Sequence, residues 1–335
     1  MRSRSISAAL AFLASLISLE ARAVAQPPVV FTSAEWQHRL SGIAVPHSVE
    51  GIARGEWEDS SGRGLNVIIQ YGSPQDASWA TLYIYRSAVA NPSIWFESAR
   101  RALEANPNLG IDPGAAPEVS FFDSNGNETA DTGLFVVSGA GDLRSTGLAL
   151  TEINGWLIKV RLSSRTLDPT ANRAALLSIL ASLTLPQRTG AERRVSAISQ
   201  CAEPLPTRHA RAETVSTMQA MIEAPAFPPT PPSLDQTYCG NELPIPVLRT
   251  YRAIDGSPGY LMTLADSGRF AHVRLSPPDN DNERYRVDVF DVGVAHIAGY
   301  FMGLPSPDQV TPLAMNALQG RSLGVVTQSL PASAP

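Results

Sequence analysis

Asn154-Gly155 lies between two runs of strand-like composition, residues 147–153 (GLALTEI) and 156–162 (WLIKVRL). Both central positions of a type I′ turn need φ > 0, which Asn and Gly tolerate, so the pair predicts a two-residue β-hairpin. A hairpin forces antiparallel pairing. The first half of the chain therefore cannot be built on an all-parallel sheet, and its sheet needs helices or a second layer on its faces.

The surrounding sequence supplies both. Residues 65–71 and 78–86 are rich in β-branched and aromatic side chains, and residues 118–122 and 133–137 continue the pattern. In the second run Trp79, Thr81, Tyr83 and Tyr85 fall on one face and Ala80, Leu82 and Ile84 on the other, so both faces are expected to be at least partly buried. Asn91-Pro92 reads as N-cap and N1 proline of a helix to about residue 105, with Ile94, Trp95, Ala99, Ala102 and Leu103 as its apolar stripe. Asp168-Pro169 opens a second helix to about residue 183, with Ala174, Leu177, Leu180 and Leu183 on one face. Trp156, Ile158 and Val160 should sit under that helix. Lys159 and Arg161 should point outward or toward the sheet's other cover.

In this order of elements, residues 26–186 resemble the PsbP-like domains, in particular the DcrB-type periplasmic proteins. The resemblance rests on Gly62-Arg63-Gly64-Leu65-Asn66-Val67, on Thr81-Leu82-Tyr83-Ile84-Tyr85 and the helix after it, and on the late hairpin strand Gly155-Trp156-Leu157-Ile158-Lys159-Val160-Arg161 with its following helix. It implies an α/β sandwich with a central antiparallel sheet, and a role as an assembly, stabilising or interaction module. It brings no catalytic residues, and it leaves the C-terminal half uncovered.

Residues 187–237 change composition. Prolines punctuate the stretch, and Phe227-Pro228-Pro229-Thr230-Pro231-Pro232 reads as an extended spacer, with one helix possible over residues 211–223. Residues 238–327 read as a small α+β domain. Strands are expected at 246–253, at 259–265 and 269–275 around the Asp266-Ser267-Gly268 turn, and as a half-buried strand at 283–292; a short helix should start at Thr311-Pro312 and stop at Gly320. Residues 328–335 are expected to be a frayed tail.

Arg2 and Arg4, the apolar run 6–19 and Ala23-Val24-Ala25 have the layout of a secretory signal peptide over residues 1–25, cleaved before Gln26. The run is shorter than the roughly 20 residues that span a bilayer. The expected mature chain is soluble, has no stable membrane insertion, and works in a bacterial periplasm or outside the cell. Its net charge falls from −5 to −7 on cleavage, a poor balance for nucleic-acid binding, which needs clustered cations. Cys201 and Cys239 are the only cysteines and bracket the proline-rich stretch. In an oxidising compartment they are expected to form a disulfide.

The histidines, His38, His47, His209, His272 and His296, have no metal-ligand spacing, and Gly-x-Ser-x-Gly is absent. Ser138-Gly139-Ala140-Gly141 lacks the third glycine and the helix of a dinucleotide loop. Asp123-Ser124-Asn125-Gly126-Asn127 and Asp279-Asn280-Asp281-Asn282-Glu283 alternate oxygen ligands but miss the glycine turn of an EF-hand loop. No catalytic, cofactor or metal residues are therefore assigned. The leading expectation is a non-enzymatic envelope module that binds or stabilises an envelope protein or small ligand. The alternatives are an envelope hydrolase with a site assembled only by folding, and a calcium-stabilised secreted protein.

Overall fold

A computed structural model describes residues 35–123, 130–189, 193–205, 208–233, 236–245, 247–276 and 283–327. The signal-peptide reading, the 328–335 tail and most of both acidic loops lie outside these residues. The class is α+β, built on two antiparallel sheets of eight strands each.

The first sheet runs in the order β3-β4-β5-β6-β10-β9-β8-β7. Its strands are β3 (Ser48–Val49), β4 (Ile52–Asp59), β5 (Asn66–Tyr71), β6 (Ser78–Tyr85), β7 (Glu118–Phe122), β8 (Thr132–Ser138), β9 (Ser145–Ile153) and β10 (Trp156–Ser164). The short pair β1 (Glu35–Gln37) and β2 (Ala44–Pro46) stands beside it. The predicted hairpin forms: Trp156 pairs with Ile153, and Asn154 and Gly155 take φ of 50° and 84°. Helix α1 (Pro92–Glu104) covers one face and α2 (Pro169–Ala181) the other. Both start as the sequence predicts, with Asn91 accepting from the Ile94 N–H and Asp168 from the Ala171 N–H.

The inward stripe of α2 differs from the expected one. Ala175, Leu176, Ile179 and Leu183 are buried, while Leu177 and Leu180 pack only at the margin and Ala174 is exposed. Asn172 lies on this same buried face, where its polar side chain points inward and donates to Ser145 Oγ (2.9 Å) and to the Leu162 carbonyl (3.3 Å).

The second sheet has the order β11-β17-β16-β15-β14-β13-β12, with β18 pairing the far end of β17. It comprises β11 (Arg211–Glu213), β12 (Tyr238–Glu242), β13 (Leu248–Ala253), β14 (Tyr260–Leu264), β15 (Phe270–Leu275), β16 (Arg284–Asp291), β17 (Val294–Met302) and β18 (Gly324–Thr327). Residues 187–237 thus contribute a strand, followed by helix α3 (Thr217–Ala226), where the sequence suggested one helix from residue 211. The last helix, α4 (Pro307–Leu318), begins a turn before Thr311, with Pro307 at its first position and Gln309 Oε1 accepting from the Ser306 N–H (3.2 Å). It packs on one face of the sheet through Val310, Ala314 and Ala317.

The opposite face of the second sheet meets α1. Tyr251, Leu261, Phe270, Phe290 and Ala295 share one buried cluster with Trp95, Phe96, Phe135 and Leu148. Helix α1 therefore lies between two sheets and is buried nearly all round, including the polar Glu97 and Ser98. The tip of the β14–β15 hairpin docks on the first sheet. Ser98 Oγ donates to the Ala265 carbonyl (2.8 Å) and Ser87 Oγ to the Gly268 carbonyl (2.9 Å). Lys159, the chain's only lysine, is buried there, with Nζ 2.7 Å from Asp266 Oδ2 and 4.0 Å from the Tyr83 ring centroid; Arg161 binds the same carboxylate.

Candidate functional site

A groove of about 370 Å³ opens where the two sheets meet around α1. Helix α1 supplies Phe96, Glu97, Arg100 and Arg101; β7 supplies Val119 and Phe121; β13 supplies Arg249. The far wall is the extended segment after α2, through Ser196, Ala197, Ile198 and Gln200. Phe96 and Phe121 meet edge to face with centroids 5.5 Å apart, a favoured aromatic geometry. Together with Val119 and Ile198 they make one side of the groove apolar.

The other side is charged. Glu97 is almost buried and receives three guanidinium groups: Arg100 at 2.8 Å, Arg249 at 3.0 Å and Arg101 at 3.3 Å. Burial alone would lower the Arg100 pKa, but Glu97 and Glu104 outweigh it and raise it. Arg101 also reaches Glu242, which is well exposed and so a weak partner. The groove lining thus holds three cations around one carboxylate. Arg249 can approach because residue 240 is glycine: a Cβ there would stand 2.8 Å from Arg249 Nε and 2.9 Å from Nη2.

The wall is fixed at both ends. Val195, itself buried, donates its N–H to the Ala130 carbonyl in the β7–β8 connection (2.9 Å). At the other end Gly240 N–H donates to Ser199, and Cys201 N–H donates to Gly240, which adds a short parallel partner to β12. Cys201 and Cys239 are joined there, with Cα atoms 4.9 Å apart. The two cysteines picked out in the sequence therefore meet, at the end of the groove wall.

The histidines stay apart. His38 is buried, with Nδ1 2.7 Å from Ser41 Oγ and Nε2 2.8 Å from the Gly64 carbonyl. A carbonyl can only accept, so Nε2 carries the proton and Nδ1 accepts from Ser41. Ser41 Oγ also accepts from the Ile43 N–H, so the pair closes the 38–42 turn. Burial lowers the His38 pKa, against the Gly64 bond. Burial also lowers His272, to about 4, against the nearby Asp288, and it lowers His296 against Asp291. His272 Nδ1 faces the Thr230 carbonyl at 3.3 Å; His296 Nδ1 faces Ser322 Oγ at 3.3 Å. Among the described residues no three His, Cys, Asp or Glu side chains are placed to hold a metal ion.

Sequence reasoning did not find the groove residues. Phe96, Arg100, Arg101 and Arg249 belong to unremarkable helix and strand runs, and only the docking of the second sheet brings them together. Among the described residues no helix is long and apolar enough to cross a membrane. No family model matches this chain, and no curated protein or solved structure matches it.

Proposed function

We propose that this chain is an extracytoplasmic module of the bacterial envelope that binds or stabilises a partner without chemistry of its own, and that its ligand site is the groove between α1, β7 and β13. The N-terminal half is of PsbP-like build. The order of strands and helices and the helices on both faces of an antiparallel sheet support that reading. The disulfide is compatible with an oxidising compartment.

One observation carries the assignment of the site. Three arginines and an aromatic wall, drawn from α1, β7 and β13, converge on one concave surface, the mix of apolar lining and a few placed polar groups that marks ligand sites. A photo-crosslinking amino acid in place of Val119 tests it in intact cells, with Gln219 on exposed α3 as the control position. A defined product from the Val119 position alone is expected. Equal labelling from both positions, or none from either, rejects the groove as the site.

A further inference from the structure

We propose that the groove takes an extended peptide segment of a partner protein, which adds as a strand to the free edge of β7 and sets an acidic side chain against Arg101 and Arg100. This deepens the preceding reading and rests on it.

The backbone ladder fixes which groups of β7 face outward. In a two-residue hairpin the flanking residues, Ile153 and Trp156, bond to each other. Odd-numbered residues of β9 then bond to β10 and even-numbered ones to β8. Carried through the registers Leu150↔Gly133 and Leu134↔Ser120, the alternation gives Glu118, Ser120 and Phe122 the bonds to β8. The N–H and C=O groups of Val119 and Phe121 point the other way, off the sheet. Just past β7, the Asp112 N–H donates to the Ser138 carbonyl from that same side, in step with this alternation. Among the described residues no backbone group pairs with Val119 or Phe121 at that edge.

An unpaired edge is a template for another strand, and proteins blunt such edges unless they use them. The other edges of the two eight-stranded sheets are blunted. The first sheet ends on the other side in the two-residue β3, next to a register shift in β4. In the second sheet β12 is covered by residues 199–201 and the disulfide, and β11 and β18 are three and four residues long. β7 keeps an unbroken five-residue register and carries no lysine, proline or bulge. Val119, 41% exposed, stands on it.

The groove lies on the face to which Val119 and Phe121 point. A strand paired to them would send alternate side chains between Phe96 and Ile198. Residues off that period would face α2 or solvent. The lining itself sets three guanidinium groups against the single carboxylate of Glu97, which favours acidic over basic peptides, while Glu104 and Glu242 pair with Arg100 and Arg101 from outside it. A peptide carboxylate would exchange with Glu242, the most exposed of these partners, on Arg101, beside Arg100, which keeps Glu97 and Glu104.

The test uses the full chain and a displayed library of short random peptides. Selected peptides should alternate apolar residues and carry Asp or Glu. Their labelled synthetic forms should bind by fluorescence anisotropy. Val119→Pro removes only an outward N–H, which an edge strand tolerates. It should weaken binding at least tenfold while circular dichroism and thermal unfolding stay near wild type. Val119→Ala, which keeps the N–H, should cost far less. Arg101→Gln should weaken acidic peptides severalfold and reduce their salt dependence. N-methylation of the peptide at alternate residues tests pairing without altering the protein, and should abolish binding in one phase only. Equal affinity for wild type and Val119→Pro, indifference to N-methylation in both phases, or no enrichment from the library overturns strand addition. A crosslinked product from position 119 in that case would leave the groove as a site for a different ligand; its absence would remove both.

Discussion

Asp266→Asn measures how firmly the two sheets are latched. Burial would raise the Asp266 pKa, but Arg161 and Lys159 hold it at about 2 against an ordinary 3.8. A shift approaching two units corresponds to about 2 kcal/mol of folding stability. Asparagine also takes the carboxylate partner from Lys159, whose side chain is 2% exposed and lies against the residue-266 carbonyl (3.2 Å) and the ring of Tyr83. Truncating one partner of a buried pair costs about 3–5 kcal/mol. Arg161 can turn to water, so the lower end, about 3 kcal/mol near neutral pH, is expected. Urea unfolding followed by tryptophan fluorescence reads it. In the double variant Lys159→Met/Asp266→Asn, methionine fills the space against Tyr83 and Tyr85, and stability should return to within about 1 kcal/mol of wild type.

The pH dependence has a definite sign. The folded pKa lies below the unfolded one, so the unfolded chain takes up the proton first as pH falls. The contribution of Asp266 is full above 3.8 and is lost as pH drops through about 2. The gap between wild type and Asp266→Asn should narrow over that window by about 2 kcal/mol. A loss under about 1 kcal/mol at neutral pH, or a gap unchanged between about pH 5 and pH 2, would refute the latch.

Three further outcomes follow from the packing. Leu176→Ala, at a fully buried position, should cost about 2–5 kcal/mol in urea unfolding, and Leu180→Ala, at the helix margin, less than half as much; the reverse order would restore the simpler apolar stripe. Gly240→Ala should push the Arg249 guanidinium off Glu97 and lower stability by about 1–3 kcal/mol, while an unchanged melting temperature would mean that Arg249 can shift freely. Alkylation without reductant should leave Cys201 and Cys239 unmodified by mass spectrometry. Reduction across their separation of 38 residues should lower stability by at most about 4 kcal/mol; two alkylated cysteines before reduction would sink the pairing.

What the sequence made legible was local. The Asn154-Gly155 turn, the Asn91-Pro92 and Asp168-Pro169 helix starts and the Asp266-Ser267-Gly268 turn are set by backbone geometry that few residues satisfy. What it hid was tertiary. Residues 284–291 alternate Tyr285, Val287 and Val289 with Arg286 and Asp288, which reads as a half-exposed strand. Both faces are in fact buried, because Arg286 and Asp288 pair with each other at 2.7 Å while Arg274 reaches the same carboxylate at 2.9 Å. The strap behind α3 covers that face, with the Phe227 and Pro228 carbonyls accepting from Arg286 and Arg274, each at 2.6 Å. Buried charges that satisfy one another mimic a solvent face in any reading by polarity.

The same principle explains why the groove could not be read from either half alone. The pattern of α1 promises one apolar stripe, and by that pattern Glu97 and Ser98 belong to water. In the fold, Glu97 takes Arg249 from β13 and Ser98 holds the Ala265 carbonyl of the β14–β15 tip. A carboxylate this deeply buried is stable only with its cations in place. Undocking the second sheet would take Arg249 from Glu97 and Asp266 from Lys159 together. The two sheets are coupled through these two ion pairs and through the shared apolar cluster. Any ligand that changes how Arg101 or Arg249 is shared with Glu97 acts on that coupling directly.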